Sequence, residues 1–282
     1  MTSKQKYALI TGSSRGIGRG IALKLASQGT RVAVHYYRNR AAAEETLARI
    51  RGLGADGFLV QADVSRTGEV LAMIRKVQAE FGGIDFFIAN ARPEAPEFFY
   101  PPLAITEAQW DAAFDSQVKG FLFSAREAAK KMGDGGRIVA VTHTNGGRTG
   151  SLQPWVAMGS AKAAMESVVR YLAVALAPRG ITVNAVSPGW IEDSVLNSLP
   201  APAQDALRRW HRGGWTPMGR LGTPADIGNA VALLCTPESG WVTGQVIRVD
   251  GGASLMDASH PPELQLPAVS ESRRSARAMA TA

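Results

Sequence analysis

Residues 7–29 read YALITGSSRGIGRGIALKLASQG, and this stretch decides the fold. Residues 7–10 form an apolar run of strand length. TGSSRGIGRG, residues 11–20, follows at once, and residues 19–28 then carry apolar side chains at helical spacing until Gly29. A glycine-rich turn between a strand and a helix lets backbone N–H groups close on an anion at a helix N-terminus, where the helix dipole favours negative charge. Gly12, Gly16 and Gly18 depart from the common dinucleotide spacing, but the strand before and the amphipathic helix after supply the context such a motif needs. Ser14, Arg15 and Ile17 lie in the same turn and join the three glycines as candidate cofactor contacts.

The alternation continues outward. Strand patterns at 31–35, 58–61, 84–89, 137–142, 182–186 and 246–249 are separated by helical patterns at 41–51, 65–81, 106 to about 132 and 157–177, with a last helix from Pro224. Ser65 is the expected cap of the third helix. Thr106-Glu-Ala-Gln109 has capping-box spacing, and Thr223-Pro224 is an N-cap followed by proline. The strands are continuous apolar runs, as a parallel sheet covered on both faces requires. This predicts one α/β domain over 1–260, a Rossmann-type doubly wound parallel sheet of about seven strands. Residues 194–216, with Trp210, His211, Arg212 and Gly213-Gly214, read as an irregular insertion and a substrate lid. Residues 261–282 lack periodicity and are expected to form a mobile tail.

The chain has 282 residues, 45% of them hydrophobic, enough for a sizeable core. Its net charge of +7 is scattered, which reads as a basic surface and tail and not as a nucleic-acid footprint. A basic entrance would attract phosphorylated cofactors and coenzyme A thioesters. Cys235, the one cysteine, lies in an apolar run; it cannot form an internal disulfide and fits a reducing cytoplasm. The apolar runs are too short to span a bilayer, and the polar start leads directly into a strand, so neither a membrane segment nor a signal peptide is expected. No metal site is expected.

The second strand ends HYYRN, residues 35–39. An acid there would accept both adenosine ribose hydroxyls; this chain carries Arg38 and Asn39 instead. With Arg15 in the glycine turn, Arg38 suits a 2′-phosphate and points to NADPH. Asp63-Val64, after the third strand, is placed to hold the adenine edge.

The glycine turn, ADV at 62–64, AN at 89–90, Lys162 early in a helix, VNAVSPG at 183–189 and VDGG at 249–252 occur in order. On these landmarks the chain resembles the short-chain dehydrogenase/reductase family over residues 6–256. The resemblance implies a nicotinamide dinucleotide lying along Gly12–Gly18, Asp63, Asn90, Lys162, Pro188, Gly189 and Ile191. It also implies a homotetramer or homodimer paired through the helices near 107–132 and 157–177.

The family's usual asparagine, serine, tyrosine and lysine are only partly present. The tyrosine position, four residues before Lys162, is Met158; the serine falls at or beside His143; the asparagine aligns with Gln117; and the glycine after NA is Arg92. Without a phenol, carbonyl reduction lacks an obvious proton donor. The family's enoyl-thioester reductases carry their tyrosine seven residues before the lysine, where this chain has Trp155, and MGSAKAAMESVVRYLAVAL (158–176) resembles that subgroup. Conjugate reduction asks less of the protein: the charge gathers on a thioester oxygen, which one oriented donor and a cation can stabilise. Lys162 is the expected cation. Trp155 is either an oxyanion donor or a pocket wall, and His143 a relay, a donor or a loop residue. The leading expectation is an oxidoreductase acting on the CH–CH bond of an acyl thioester, carried by coenzyme A or a carrier protein. The alternatives are a carbonyl or imine reductase with His143 as acid, and an eroded dinucleotide-binding sensor or scaffold.

Overall fold

The computed structural model describes residues 5–93, 99–143, 155–193, 195–256 and 262. Seven strands, β1 (Tyr7–Ile10), β2 (Arg31–Tyr36), β3 (Gly57–Gln61), β4 (Phe86–Ala89), β5 (Arg137–Val141), β6 (Thr182–Pro188) and β7 (Val246–Val249), form one sheet in the order β3-β2-β1-β4-β5-β6-β7. Every pairing is parallel. This is the Rossmann-type doubly wound sheet that the apolar strands predicted. The order reverses between β1 and β4, and there the connections leave to opposite faces and open a crevice at the strands' C-terminal ends.

Helices cover both faces. On one, α3 (Thr67–Phe81), α5 (Gly120–Ala129) and α6 (Val156–Leu176) bury Val70, Ile74, Phe121, Met165 and Val169 against the sheet. On the other, α1 (Gly16–Ser27), α2 (Arg40–Gly52) and α8 (Pro224–Leu234) bury Ile21, Leu25, Ile50, Ile227 and Val231. The capping boxes at Thr106 and Thr223 both form, each satisfying the first free amides of its helix. No helix of the described residues is long and apolar enough to cross a membrane.

Three expectations change. Ser65 does not cap α3, which begins two residues later at Thr67; the Ser65 hydroxyl and amide both donate to Asp63 Oδ1, at 2.7 and 2.9 Å, in a turn that competes with the cap. The long helix from Thr106 is interrupted: α4 (Glu107–Phe114) passes through a π turn over Asp115–Lys119 before α5. Residues 195–216 are not irregular. They contain α7 (Ala201–Trp210), started by prolines at its N-terminus, and a π turn over His211–Trp215 that is broken at Gly214, where φ is +109°. Arg208 fastens α7 to the loop after β6 through a two-pronged pair with Glu192, both contacts at 3.0 Å. The tail expected to be mobile lies, apart from Pro262, outside the described residues.

Helices α1 and α8 cross with their backbones almost touching: a methyl on Gly20 would sit 2.3 Å from Pro224 O, and one on Gly228 would sit 2.6 Å from Gly20 O. Gly228→Ala is therefore expected to cost about 1–3 kcal/mol through forced separation of the helices. This should appear as a lower urea midpoint at an unchanged slope. Gly52→Ala, where an added methyl meets nothing within 4 Å, should change stability by less than about 0.5 kcal/mol.

Candidate active site

The crevice at the β1/β4 reversal deepens into a cavity of about 540 Å³ that runs from Arg38 at the end of β2 to Trp155 at the start of α6. Its floor is the glycine turn. Gly12 has φ +66°, and a methyl there would lie 2.8 Å from Ala91 Cα; one on Gly18 would lie 2.2 Å from Gly12 O. Only glycine lets β1, α1 and the chain after β4 approach so closely. Asn90 Nδ2 donates to Thr11 O and Gly12 O, both at 3.1 Å, while Thr11 Oγ1 accepts from the amides of Asn90 and Ala91 at 3.0 Å. Asn90 thus shapes the turn from beneath.

His35 braces the same turn and was not foreseen. Its Nδ1 accepts from Gly12 N at 2.8 Å; an amide can only donate, so the ring proton sits on Nε2, which donates to Ala62 O at 3.0 Å. Burial lowers the pKa of this ring to about 4, against the pull of Ala62 O and Asp63. The imidazole is neutral and locked in one tautomer.

These features fit a dinucleotide. No side chain caps the N-terminus of α1, and its first turn carries no acid, so its leading amides are left for an anion. Ser14, Gly16 and Ile17 line the cavity, as do Val64, Pro188, Gly189 and Ile191. Arg38 is at the adenosine end, its guanidinium stacked 4.6 Å from the Tyr37 ring centre. Arg15 also lines the cavity, and its charge acts on Asp193. Asn39 and Asp63 line the cavity with side chains already engaged: Asn39 Oδ1 caps α2 through Ala42 N at 3.0 Å, and Asp63 holds Ser65.

At the opposite end the first turns of α6 bring Trp155, Met158 and Lys162 to one wall, with His143 facing them from the end of β5. Lys162 is buried and donates to Val141 O at 2.7 Å. Burial, helped by the charge of Arg92 and opposed by Glu166, lowers its pKa to about 7. Met158, where the family has its phenol, is 2% exposed and packs with Ala113, Phe99 and Trp155. His143 lies 5.0 Å from Trp155, centre to centre; burial, then the charge of Lys162, lowers its pKa to about 4, so the ring is neutral near pH 7. Among the described residues its Nε2 has no protein hydrogen-bond partner. Phe99 meets the Trp155 indole edge-on at 5.6 Å, placing Trp155 in an aromatic wall. Gln117 does not line this cavity: it is buried in the π turn, with Nε2 3.3 Å from Ala91 O.

Two acids act at this end: Asp193 lines the cavity, and Glu166 acts on Lys162 without lining it. Asp193, nearly buried after β6, accepts from Val195 N at 2.9 Å; burial raises its pKa, against the pull of that amide and of Arg92. Glu166 accepts from Thr142 Oγ1 at 3.0 Å and acts on Lys162 one helical turn earlier. The spacing of Lys162 and Glu166, four residues on a helix, was a readable signal for that pair. Asp193 carried no such signal.

The sequence model of the Enoyl-(Acyl carrier protein) reductase family matches residues 12–254. The chain is 37% identical over 259 residues to 1-cyclohexenylcarbonyl-CoA reductase of Streptomyces collinus, covering 90% of this chain and 88% of that one. It is 36% identical over 255 residues to tetrahydroxynaphthalene reductase PfmaG of Pestalotiopsis fici, covering 88% and 91%. Among solved structures, the angucycline C-6 ketoreductase LanV with bound NADP superposes with a TM-score of 0.80 at 32% identity, covering 89% of this chain and 96% of that one. LugOII, a promiscuous reductase that catalyses keto-reduction at C1 during lugdunomycin biosynthesis, gives 0.78 at 33%, covering 88% and 98%.

The buried imidazoles make the protein acid-sensitive in a defined window. Between pH 6.5 and 4 an unfolded histidine takes up a proton that His35 and His143 refuse, so unfolding absorbs protons and stability falls as pH falls. The share of His35 is roughly 3 kcal/mol, present in full above pH 6.5 and lost on approaching pH 4. Urea unfolding across this range should show the loss in the unaltered protein and a flatter profile in His35→Gln. Parallel profiles would show that His35 is not buried in its neutral form.

Proposed function

The chain belongs to the short-chain dehydrogenase/reductase family, and from that premise we propose that it is an NADPH-dependent reductase that saturates the α,β-double bond of an acyl thioester. The observation that carries this reading is the end wall. Where carbonyl reduction would have a phenol there is buried Met158, and the nearby histidine is held neutral, while Lys162 is kept at the cost of burying it. The site lacks the phenol and keeps the lysine. That suits a reaction whose charged species is an enolate oxygen and whose proton goes to carbon.

When bound, NADPH supplies a hydride, which an enoyl thioester accepts at its β-carbon. The amides at the start of α1 hold phosphate, and Arg38 selects a 2′-phosphate by charge-assisted hydrogen bonding. Lys162 fixes the ribose and lends positive charge to the thioester oxygen. Trp155, Phe99 and Met158 form an apolar wall that excludes water and accepts an acyl chain or ring. The α-carbon takes its proton from solvent. The similarity to the cyclohexenylcarbonyl-CoA reductase supports a coenzyme A thioester of a cyclic or branched acid.

Reduction of a carbonyl is the second reading. It is favoured by the hydroxynaphthalene reductase and the ketoreductases, which are about as similar to this chain. Because His143 is neutral at pH 7, that reading leaves Lys162 as the available acid. We further propose a homo-oligomer in a reducing cytoplasm. Tyr171 and Val174 on α6 are 79% and 78% exposed, which supports pairing through that helix.

Enoyl thioesters are expected to be reduced and simple ketones not. With C4-deuterated NADPH the label should reach only the β-carbon; in heavy water with unlabelled cofactor, one deuterium should reach only the α-carbon. Cofactor deuterium on a carbinol carbon, with the double bond intact, would establish the carbonyl reading. Lys162→Ala should slow turnover on the order of a hundredfold and weaken cofactor binding together with it. Trp155→Phe should have a small effect if the indole only walls the pocket. Arg38→Ala should weaken NADPH binding by about 1.5–3 kcal/mol while leaving NADH nearly unchanged, as read by cofactor fluorescence.

A further inference from the structure

Two hydrogen bonds to consecutive residues tie α6 to the end of β5. Lys162 Nζ donates to Val141 O at 2.7 Å, and one helical turn on, Glu166 Oε1 accepts from Thr142 Oγ1 at 3.0 Å. Residues four apart on a helix share a face, their Cβ atoms about 5–6 Å apart. Here both side chains also reach neighbouring residues of one strand, so the ammonium and the carboxylate end side by side. Thr142 is buried and gives its amide to Val186 O at 2.8 Å, which makes it a fixed point between β5 and β6. His143, the next residue, lines the cavity; Glu166 is part-buried and does not.

The other charged groups on the elements around α6 are engaged or exposed. In the π turn Asp115 and Lys119 pair at 2.6 Å, and on α5 Arg126 and Glu127 pair at 2.9 Å. Glu107 and Asp111 of α4 are exposed, and β6 brings no titratable side chain. His143 at the end of β5 is neutral, and Arg92, from the chain after β4, repels the Lys162 charge. Among the described residues Glu166 supplies the negative charge that acts on Lys162, against burial and Arg92.

We propose that Glu166 is a positioning residue: it holds the end of β5 against α6 through Thr142, and it is the counter-ion that keeps Lys162 charged while the site steadies a negative oxygen. A buried ammonium on its own tends to give up its proton. A carboxylate one turn away offsets that tendency, and its place outside the cavity leaves the space in front of Lys162 to cofactor and substrate. The inference rests on the reductase reading and on the charged form of Lys162 within it, but not on the choice of acceptor. Lys162 must carry its proton either to steady an enolate or to serve as the acid for a ketone.

The test compares variants of the full chain that separate the charge from the contact. Glu166→Gln removes the charge, and its amide oxygen can still accept from Thr142. Thr142→Val removes the contact and keeps the charge. Turnover of crotonyl-coenzyme A with NADPH is followed from about pH 6 to about pH 9, a span that brackets the Lys162 pKa of about 7. Lys162 acts in its charged form, so the rate is lost as pH rises through its pKa. In Glu166→Gln that loss should begin roughly one pH unit lower, and the deficit should grow with pH. Glu166→Asp, which keeps a carboxylate, should restore most of the profile. Thr142→Val should lower kcat across the range and leave the alkaline limb in place. A second readout needs no substrate. NADPH affinity by cofactor fluorescence should match the unaltered protein at about pH 6, and its decline with rising pH should begin earlier in Glu166→Gln, because Lys162 holds the ribose. An alkaline limb and an NADPH profile that do not move in Glu166→Gln overturn the proposal. So does a loss of rate that is equal at every pH and parallels a lower urea midpoint, which marks a residue that only supports the fold. If crotonyl-coenzyme A is untouched and a ketone is reduced, the thioester reading fails alone, and the same comparison on the ketone decides the part of Glu166. If neither is reduced, the NADPH profile decides it.

Discussion

The clamp between Thr11 and the Asn90-Ala91 pair is the constraint on which the rest of the site depends. It welds the end of β1 to the end of β4 at the point where the sheet reverses its order. The glycine turn has little internal bonding of its own; its shape is imposed by Asn90 from below and by the His35 ring from the side. Both supports are uncharged hydrogen bonds inside a dry region, where an unmet partner is costly and a met one is rigid. Arg19 adds a charged support, its guanidinium donating twice to Ser14 O, at 2.9 and 3.2 Å. Arg92, the next residue along the chain after the clamp, lines the same cavity.

The two ends of the cavity use charge differently. At the adenosine end Arg38 is exposed, so its charge is screened by water and salt. At the other end burial dominates. Lys162 sits near its neutral point, and His143 and Asp193 are both shifted toward their uncharged forms. Small changes of charge in such a place have large effects, because little solvent is present to absorb them.

Much of the fold was legible because buried parallel strands are written as unbroken apolar runs, and β1 falls where such a run does. Thr106 and Thr223 announced their helices because capping chemistry is local. Ser65 misled for the same reason: a serine next to an aspartate has another local partner, and the turn won. Helix α7 was missed because paired prolines and Gly213-Gly214 look like loop chemistry, and because Trp210, an apolar marker, is mostly exposed. Within the site, the sequence identified Lys162, His143, Trp155 and the glycines. It did not reveal Asp193 as part of the wall, since an acid in a loop reads as solvated until the fold covers it. His35 read as an ordinary strand residue because its partners, Gly12 and Ala62, belong to other segments.

The position of the clamp in the chain also governs how the molecule comes to be. Strands β1, β2 and β3 are neighbours in sequence and in space, so the first sixty or so residues to leave a ribosome can pair as they emerge. The partners of Thr11 are nearly eighty residues downstream. Until β4 docks between β1 and the later strands, the nascent chain carries the glycine turn with the His35 brace but without the support of Asn90. Closing so long a loop is slow compared with local pairing. The shape of the turn is therefore completed only when four residues, Phe86–Ala89, take their place in the middle of the sheet.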